Sequence, residues 1–169
     1  MYYSKMRPLD IANGPGCRVS LFVSGCRNRC KGCFQPETWN FTYGQEFGTE
    51  ALQELLRLLE NPHIAGLSIL GGDPFEPENR ETVLDICKAV REGFGDSKTI
   101  WVWTGYLLED LRDEPVLRYI DVLVDGPFVE SEKDFSLFYR GSRNQRVIDI
   151  PKTLEAGCAI RWDGNQKWR

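Results

Sequence analysis

Cys26, Cys30 and Cys33 stand as C-x3-C-x2-C in the segment Gly25-Cys26-Arg27-Asn28-Arg29-Cys30-Lys31-Gly32-Cys33-Phe34, with a glycine near each end. Spacing this close lets one loop wrap three sulfurs around a small inorganic core. Soft thiolates suit iron-sulfur clusters, zinc and copper(I). A structural zinc site closes with four ligands, often as two C-x2-C pairs, and the sequence has no second pair. Three thiolates are one short of a fully ligated four-iron cluster, which leaves one iron open to a substrate. The competing reading is a zinc knuckle completed by Cys17 or His63.

The other sulfurs read differently. Cys87 falls on the apolar stripe of a helical pattern and is expected in the core. Cys158 has no spacing partner and is read as structural, while His63, after Pro62, is expected at the surface. The first residues, MYYSKMRPLD, lack the apolar stretch of a signal peptide, and no run approaches the ~20 apolar residues that cross a bilayer. The expectation is a cytoplasmic protein with no membrane partner, whose six cysteines serve as reduced thiols or ligands rather than disulfides.

Three further motifs are glycine-bearing turns. Gly71-Gly72-Asp73-Pro74 offers bare backbone, which a ligand can approach closely and whose N–H and C=O groups can pair with it. Thr104-Gly105-Tyr106 and Asp125-Gly126 resemble it, although an aspartate beside a glycine is also an ordinary turn. Trp101, Trp103 and Phe128 read as core residues, and 140–145 as an exposed polar loop. No Ser/His/Asp constellation is present, and there is a single histidine.

The elements that must position these motifs follow a repeated pattern. Residues 18–23, 67–70, 99–103 and 120–124 read as strands, each followed directly by one of the turns above. Thr49 is placed as the cap of a helix with Leu52, Leu55, Leu56 and Leu59 on one face, stopped at Asn61-Pro62. A second helix spans 77–92, with Pro77 near its start and Gly93 near its end, and a short helical stretch begins at Leu107. Residues 146–150 suit a further strand, and 158–162 a terminal strand or ordered tail.

Strands alternating with helices imply an α/β fold of parallel strands with crossover helices. All four turns then lie at the carboxyl ends of strands, where such sheets gather their sites. At 169 residues the chain is shorter than a complete eight-unit barrel, usually ~200 or more, so an open partial (βα) barrel is expected. One domain, 1–169, is read, with its core at about 11–150 and a tail at about 151–169. The net charge of −4, without a lysine or arginine block, argues against a nucleic-acid binder.

Taken together these residues resemble the radical S-adenosylmethionine superfamily and, within it, the glycyl-radical activating enzymes. The resemblance rests on the three-cysteine motif followed by an aromatic, Phe34, and on the run Asn13-Gly14-Pro15-Gly16-Cys17-Arg18 leading into it. It extends through Gly71-Gly72-Asp73-Pro74, Trp101-Val102-Trp103-Thr104-Gly105-Tyr106, Val122-Leu123-Val124-Asp125-Gly126, and Arg140-Gly141-Ser142 with Asn144-Gln145. Within that group the pattern is similar to the activators of the anaerobic ribonucleoside-triphosphate reductase. Gln35 departs from it, since relatives commonly carry asparagine there.

The resemblance implies a 4Fe-4S cluster on Cys26, Cys30 and Cys33, with its open iron chelating S-adenosyl-L-methionine. It further implies that the backbone of Gly32, Cys33 and Phe34 packs on the nucleoside, and that Gly71, Gly72 and Asp73 meet the methionine amino group. Thr104 and Asp125 are the candidates for ribose or carboxylate contacts. The implied partners are the glycyl-radical subunit of the reductase and a low-potential electron donor such as flavodoxin or ferredoxin. A different glycyl-radical enzyme, a small molecule as substrate, and a non-catalytic zinc-binding assembly module are the alternatives.

Overall fold

The computed structural model describes residues 1–164. Its elements in chain order are β1 (Tyr2–Asp10), β2 (Cys17–Val23), β3 (Gln45–Glu46), α1 (Thr49–Leu59), β4 (Ile64–Gly71), α2 (Pro77–Phe94), β5 (Thr99–Trp103), β6 (Val122–Asp125), β7 (Arg146–Asp149) and α3 (Ile150–Ala156). The strands form one sheet in the order β3-β1-β2-β4-β5-β6-β7. Its centre, β2-β4-β5-β6, is parallel. β1 and β3 on one side and β7 on the other run antiparallel to their neighbours. The fold is thus mixed α/β, with the four expected strands at its parallel centre.

Side chains alternate between the two faces of a strand, so each sheet face has its own chemistry. Val19, Leu21 and Val23 of β2, Leu67 and Ile69 of β4, Ile100 and Val102 of β5 and Leu123 of β6 are all buried in the main core. Leu55 and Leu59 of α1 and Val83, Ile86, Cys87 and Val90 of α2 join them there. Each such side chain contributes about 1.5–3 kcal/mol of burial. The second face carries Trp101, Val122 and Val124, packed with Trp103, Tyr139, Val147 and Trp162.

Arg18 lies on that second face, wholly buried, at the amino ends of the parallel strands. Its guanidinium donates to Ser68 Oγ at 2.7 Å, Thr99 Oγ1 at 2.8 Å, Leu67 O at 2.8 Å and Thr99 O at 2.9 Å. Burial without a carboxylate in contact pulls its pKa down to about 10. Ser68 Oγ in turn donates to Asn13 O at 2.5 Å, which draws the loop after β1 across the face.

Helix α2 is fixed at both ends. Near its carboxyl end Arg91 pairs with Asp121 at 2.7 Å and donates to Tyr119 O at 2.9 Å. At its amino end Asn79 donates to Ser24 O at 3.0 Å and to Asp73 O at 2.9 Å. The helix runs through Gly93 to Phe94 and is stopped instead by Gly95, whose φ of 55° is left-handed.

Other expectations are corrected in detail. Gly48, not Thr49, occupies the cap position of α1, and Thr49 is the first helical residue. Strand β1 was not anticipated. The stretch after Leu107 is a single 3-10 turn, Leu108–Asp110. The segment 158–162 contributes one isolated bridge, Ile148 to Arg161, and residues 165–169 of the expected tail lie outside the described residues.

Candidate functional site

The loops leaving β2, β4, β5 and β6 meet over one cavity of about 430 Å³. Cys26, Cys30, Cys33, Phe34 and Gln35 line it from the first loop, and Leu70, Gly71, Gly72 and Asp73 from the second. Trp103, Thr104 and Gly105 come from the third, and Gly126 and Phe128 from the fourth. The segment 133–145 closes another side, and Ala12 and Asn13, held by the Ser68 bond, complete the wall.

Backbone contact joins the first two loops. Gly72 N donates to Val23 O at 2.7 Å and Asp73 N to Gly25 O at 2.8 Å. A Cβ on Gly72 would stand 2.6 Å from Gly25 O, so this approach requires glycine. Gly25 has φ 97°, and a Cβ there would overlap the Phe41 ring.

Side chains then tie the cysteine loop down. Glu76, fully buried, accepts from Arg27 N and Arg27 Nη1, both at 2.6 Å. Arg27 also lies over the Phe41 ring at 4.4 Å. Asp73 accepts from Thr104 Oγ1 at 2.8 Å, Gly105 N at 2.9 Å, Phe75 N at 3.0 Å and Asn28 Nδ2 at 3.1 Å. Burial nonetheless pushes the Asp73 carboxyl up to about 6. The Cys26 thiol is pushed up to about 11, mainly by burial, with Asp73 and Glu76 adding to it.

Of the expected site residues, Cys26, Cys30, Cys33, Phe34, Gly71, Gly72, Asp73 and Thr104 line the cavity, and two do not. Gly32 turns away with φ 75°, and a Cβ on it would stand 2.8 Å from Glu130 Oε1, so it seats the loop against Glu130. Asp125 is fully buried beside β7. Its carboxylate accepts from Leu108 N at 2.8 Å and from Arg146 Nε at 2.9 Å, and Arg146 Nη2 pairs with it as well. With its oxygens engaged inside the protein, Asp125 fixes β6 to β7.

Three expectations of blandness also fail. Trp103 and Phe128 line the cavity rather than the core. In the segment 140–145, Ser142 is buried and Arg140, Gly141 and Gln145 line the cavity. Gln145 Oε1 accepts from Gly141 N at 2.8 Å, which bends the segment over the site. Cys158 is exposed after α3, not structural.

All three motif cysteines are free and half-buried on one cavity wall, and Cys33 N donates to Cys30 O at 3.1 Å. Cys17 begins β2, Cys87 is inside α2, and His63 is exposed before β4, so none stands on that wall. Among the described residues no three His, Cys, Asp or Glu side chains converge tightly enough for a single metal ion. A cubane places each thiolate on a different iron, which requires wider separation than four ligands on one zinc at about 2.3 Å. The donor set, three thiolates and no fourth protein ligand on the wall, fits a cluster with one open iron. Gln35 Oε1 is buried at the same cavity and has no hydrogen-bond partner, an acceptor placed for a ligand's donor.

Residues 12–148 match a family model described as a 4Fe-4S single cluster domain. The anaerobic ribonucleoside-triphosphate reductase-activating protein of Enterobacteria phage T4 is 43% identical over 147 residues, which cover 87% of this chain and 93% of that protein. The protein of the same name from Vibrio cholerae is 44% identical over 151 residues, covering 87% of this chain and 97% of the relative. That from Escherichia coli K12 is 43% identical with the same coverage. Identity of this order along nearly the whole length, including the segment that supplies the cavity wall, places the chain in the family of anaerobic ribonucleoside-triphosphate reductase-activating proteins.

Proposed function

We propose that this chain cleaves S-adenosyl-L-methionine reductively and generates a glycyl radical on the anaerobic ribonucleoside-triphosphate reductase. The observation that carries the reading is the meeting of three free cysteines and the Gly71-Gly72 backbone on one cavity at the carboxyl ends of parallel strands. The 4Fe-4S cluster, when bound, supplies the low-potential electron that breaks a sulfonium carbon–sulfur bond.

The chain's own residues do the rest. Cys26, Cys30 and Cys33 hold the metal and leave one corner free. Gly71 and Gly72 present backbone without side chains, so the methionine end can approach closely. Phe34, Trp103 and Phe128 wall the cavity with apolar surface and keep water from the reacting centre. Gln35 Oε1 accepts a hydrogen bond from the nucleoside. Thr104 and Asp73 act through each other, Asp73 holding the β5 turn against the cysteine loop.

We read the chain as one domain, its core at about 11–150, with the parallel strands as part of an open (βα) barrel. It works in the cytoplasm with a flavodoxin or ferredoxin as donor. In line with that, no helix among the described residues is long and apolar enough to cross a membrane.

Anaerobic reconstitution tests the reading. The protein should turn brown with about four irons per chain and release methionine and 5′-deoxyadenosine under a strong reductant. Mixed with the reductase, it should raise a glycyl signal in electron paramagnetic resonance. Cys30→Ala should lose all three; a Cys30→Ala protein with wild-type iron content and cleavage overturns the assignment.

A further inference from the structure

The chain displays large apolar side chains to water beside its reactive cavity. Phe34 is 63% exposed and Phe135 88% exposed, yet both also line the cavity, so the outer rim and the inner wall are one continuous surface. Phe138, on the same segment as Phe135, is 79% exposed. Exposed aromatics grouped at the mouth of a site mark an interaction surface rather than ordinary surface scatter.

The backbone is arranged to keep them there. Tyr139 has φ 62°, a left-handed conformation that costs a non-glycine residue free energy. It turns its ring down onto Trp101 at 5.2 Å, while its carbonyl accepts from Trp103 Nε1 at 2.7 Å. The neighbouring Phe138 is left facing water. One residue anchors the segment to the sheet and the next is held out from it.

Charge adds a direction. Lys133 lies 4.8 Å from the Phe34 ring and 4.7 Å from the Phe135 ring. Among the described residues no carboxylate is paired with its ammonium, whereas nearby Lys31 and Arg143 have Glu130 and Asp134. Lys133 is therefore a cation clasped by two rings at the entrance, with its hydrogen-bond donors open to an incoming acceptor.

We infer that Phe135, Phe138 and Lys133 form the seat for an extended, glycine-bearing segment of the partner protein. This rests on the reading above, in which the hydrogen comes from a glycine α-carbon of that partner. A glycine at the tip has no side chain to bar its α-carbon from the cavity, so recognition falls to its neighbours. An apolar neighbour sits on Phe135 and Phe138, and a carboxylate or carbonyl of the segment takes the Lys133 ammonium.

The test compares wild-type protein with Phe135→Ser, Phe138→Ser and, as a control elsewhere on the surface, Leu154→Ser, which alters an exposed residue of α3. Each is reconstituted anaerobically, and its affinity for the anaerobic ribonucleoside-triphosphate reductase is measured directly. Both phenylalanine variants should bind about tenfold more weakly or worse, as expected for loss of an aromatic anchor. Leu154→Ser should bind as wild type. Phe138→Ser should keep full iron content and full cleavage of S-adenosylmethionine without the partner. Phenylalanine variants that bind the reductase as tightly as wild type overturn the seat, and so does a wild-type protein that cleaves S-adenosylmethionine but does not bind the reductase. A wild-type protein that binds the reductase and fails to cleave S-adenosylmethionine sinks the catalytic reading and leaves the seat standing.

Discussion

Asn28, within the cysteine loop, donates its side-chain amide to the buried carboxylate of Asp73 at 3.1 Å. The same carboxylate receives Thr104 Oγ1 and Gly105 N, so one side chain gathers the loops after β2, β4 and β5. A Cβ on Gly105 would collide with the Asn28 amide, which shows how closely the three loops are drawn together.

The Asp73 carboxyl, raised from 3.8 to about 6 by burial, sets a pH dependence. Between those values the folded apo-protein holds a proton that the unfolded chain has released. Stability must therefore fall as pH rises from about 4 to about 6, by at most about 3 kcal/mol. Denaturant unfolding of wild type against Asp73→Asn measures it. Asp73→Asn should lack this window; parallel pH curves for the two proteins would refute the assignment.

Glu76 is the buried half of its pair with Arg27, whose side chain is half in water. Glu76→Ala leaves the Arg27 N–H and guanidinium without their acceptor, and should cost about 2 kcal/mol. The loss should appear twice, as a lower unfolding midpoint of the apo-protein and as faster iron release from the reconstituted protein. Glu76→Gln, which keeps an acceptor, should lie between the two.

At Gly25 and Gly72 the missing side chain is itself the requirement. Gly72→Ala pushes the two loops apart, and Gly25→Ala adds left-handed strain to overlap with Phe41. Each should destabilise by roughly 2–3 kcal/mol and reduce iron uptake. Gly93→Ala, where a Cβ meets nothing within 4 Å, is the contrasting control, expected neutral or stabilising by up to about 1 kcal/mol.

Arg18→Leu removes a donor to two carbonyls and two hydroxyls in the sheet interior. It should cost about 3 kcal/mol or more, because the stranded acceptors stay buried. Arg18→Lys, with three donors on a point charge, should recover only part of this. Thermal unfolding of the apo-proteins gives the ranking.

Much of this site was legible because parallel strands announce themselves. The apolar runs ending in Cys26, Gly71, Thr104 and Asp125 became β2, β4, β5 and β6, and their order alone brought the turns together. Strand β1 was hidden, since YYSKMRPLD has no clean alternation, holds a proline, and pairs through register shifts at a largely exposed position. Asp125 misled because a carboxylate at a strand end looks available until its partner is known. That partner, Arg146, comes from an antiparallel strand 21 residues on. Trp103, Phe128 and Gln145 were missed for the opposite reason: nothing in their chemistry separates a cavity wall from a core. Only the positions of Trp103 and Phe128, next to glycine turns at strand ends, hinted at it.

Helix α2 has 18 residues and so is about 27 Å long. It stands on Asp73 and Ser24 through Asn79, while Arg91 clamps its other end to Asp121. It works as a strut: the loop that carries the sulfurs is braced from the opposite pole of the molecule and has little stiffness of its own. A disturbance at the remote clamp is delivered, undamped by any hinge, to the place where metal is held, so tolerance of the centre to damage is decided far from it.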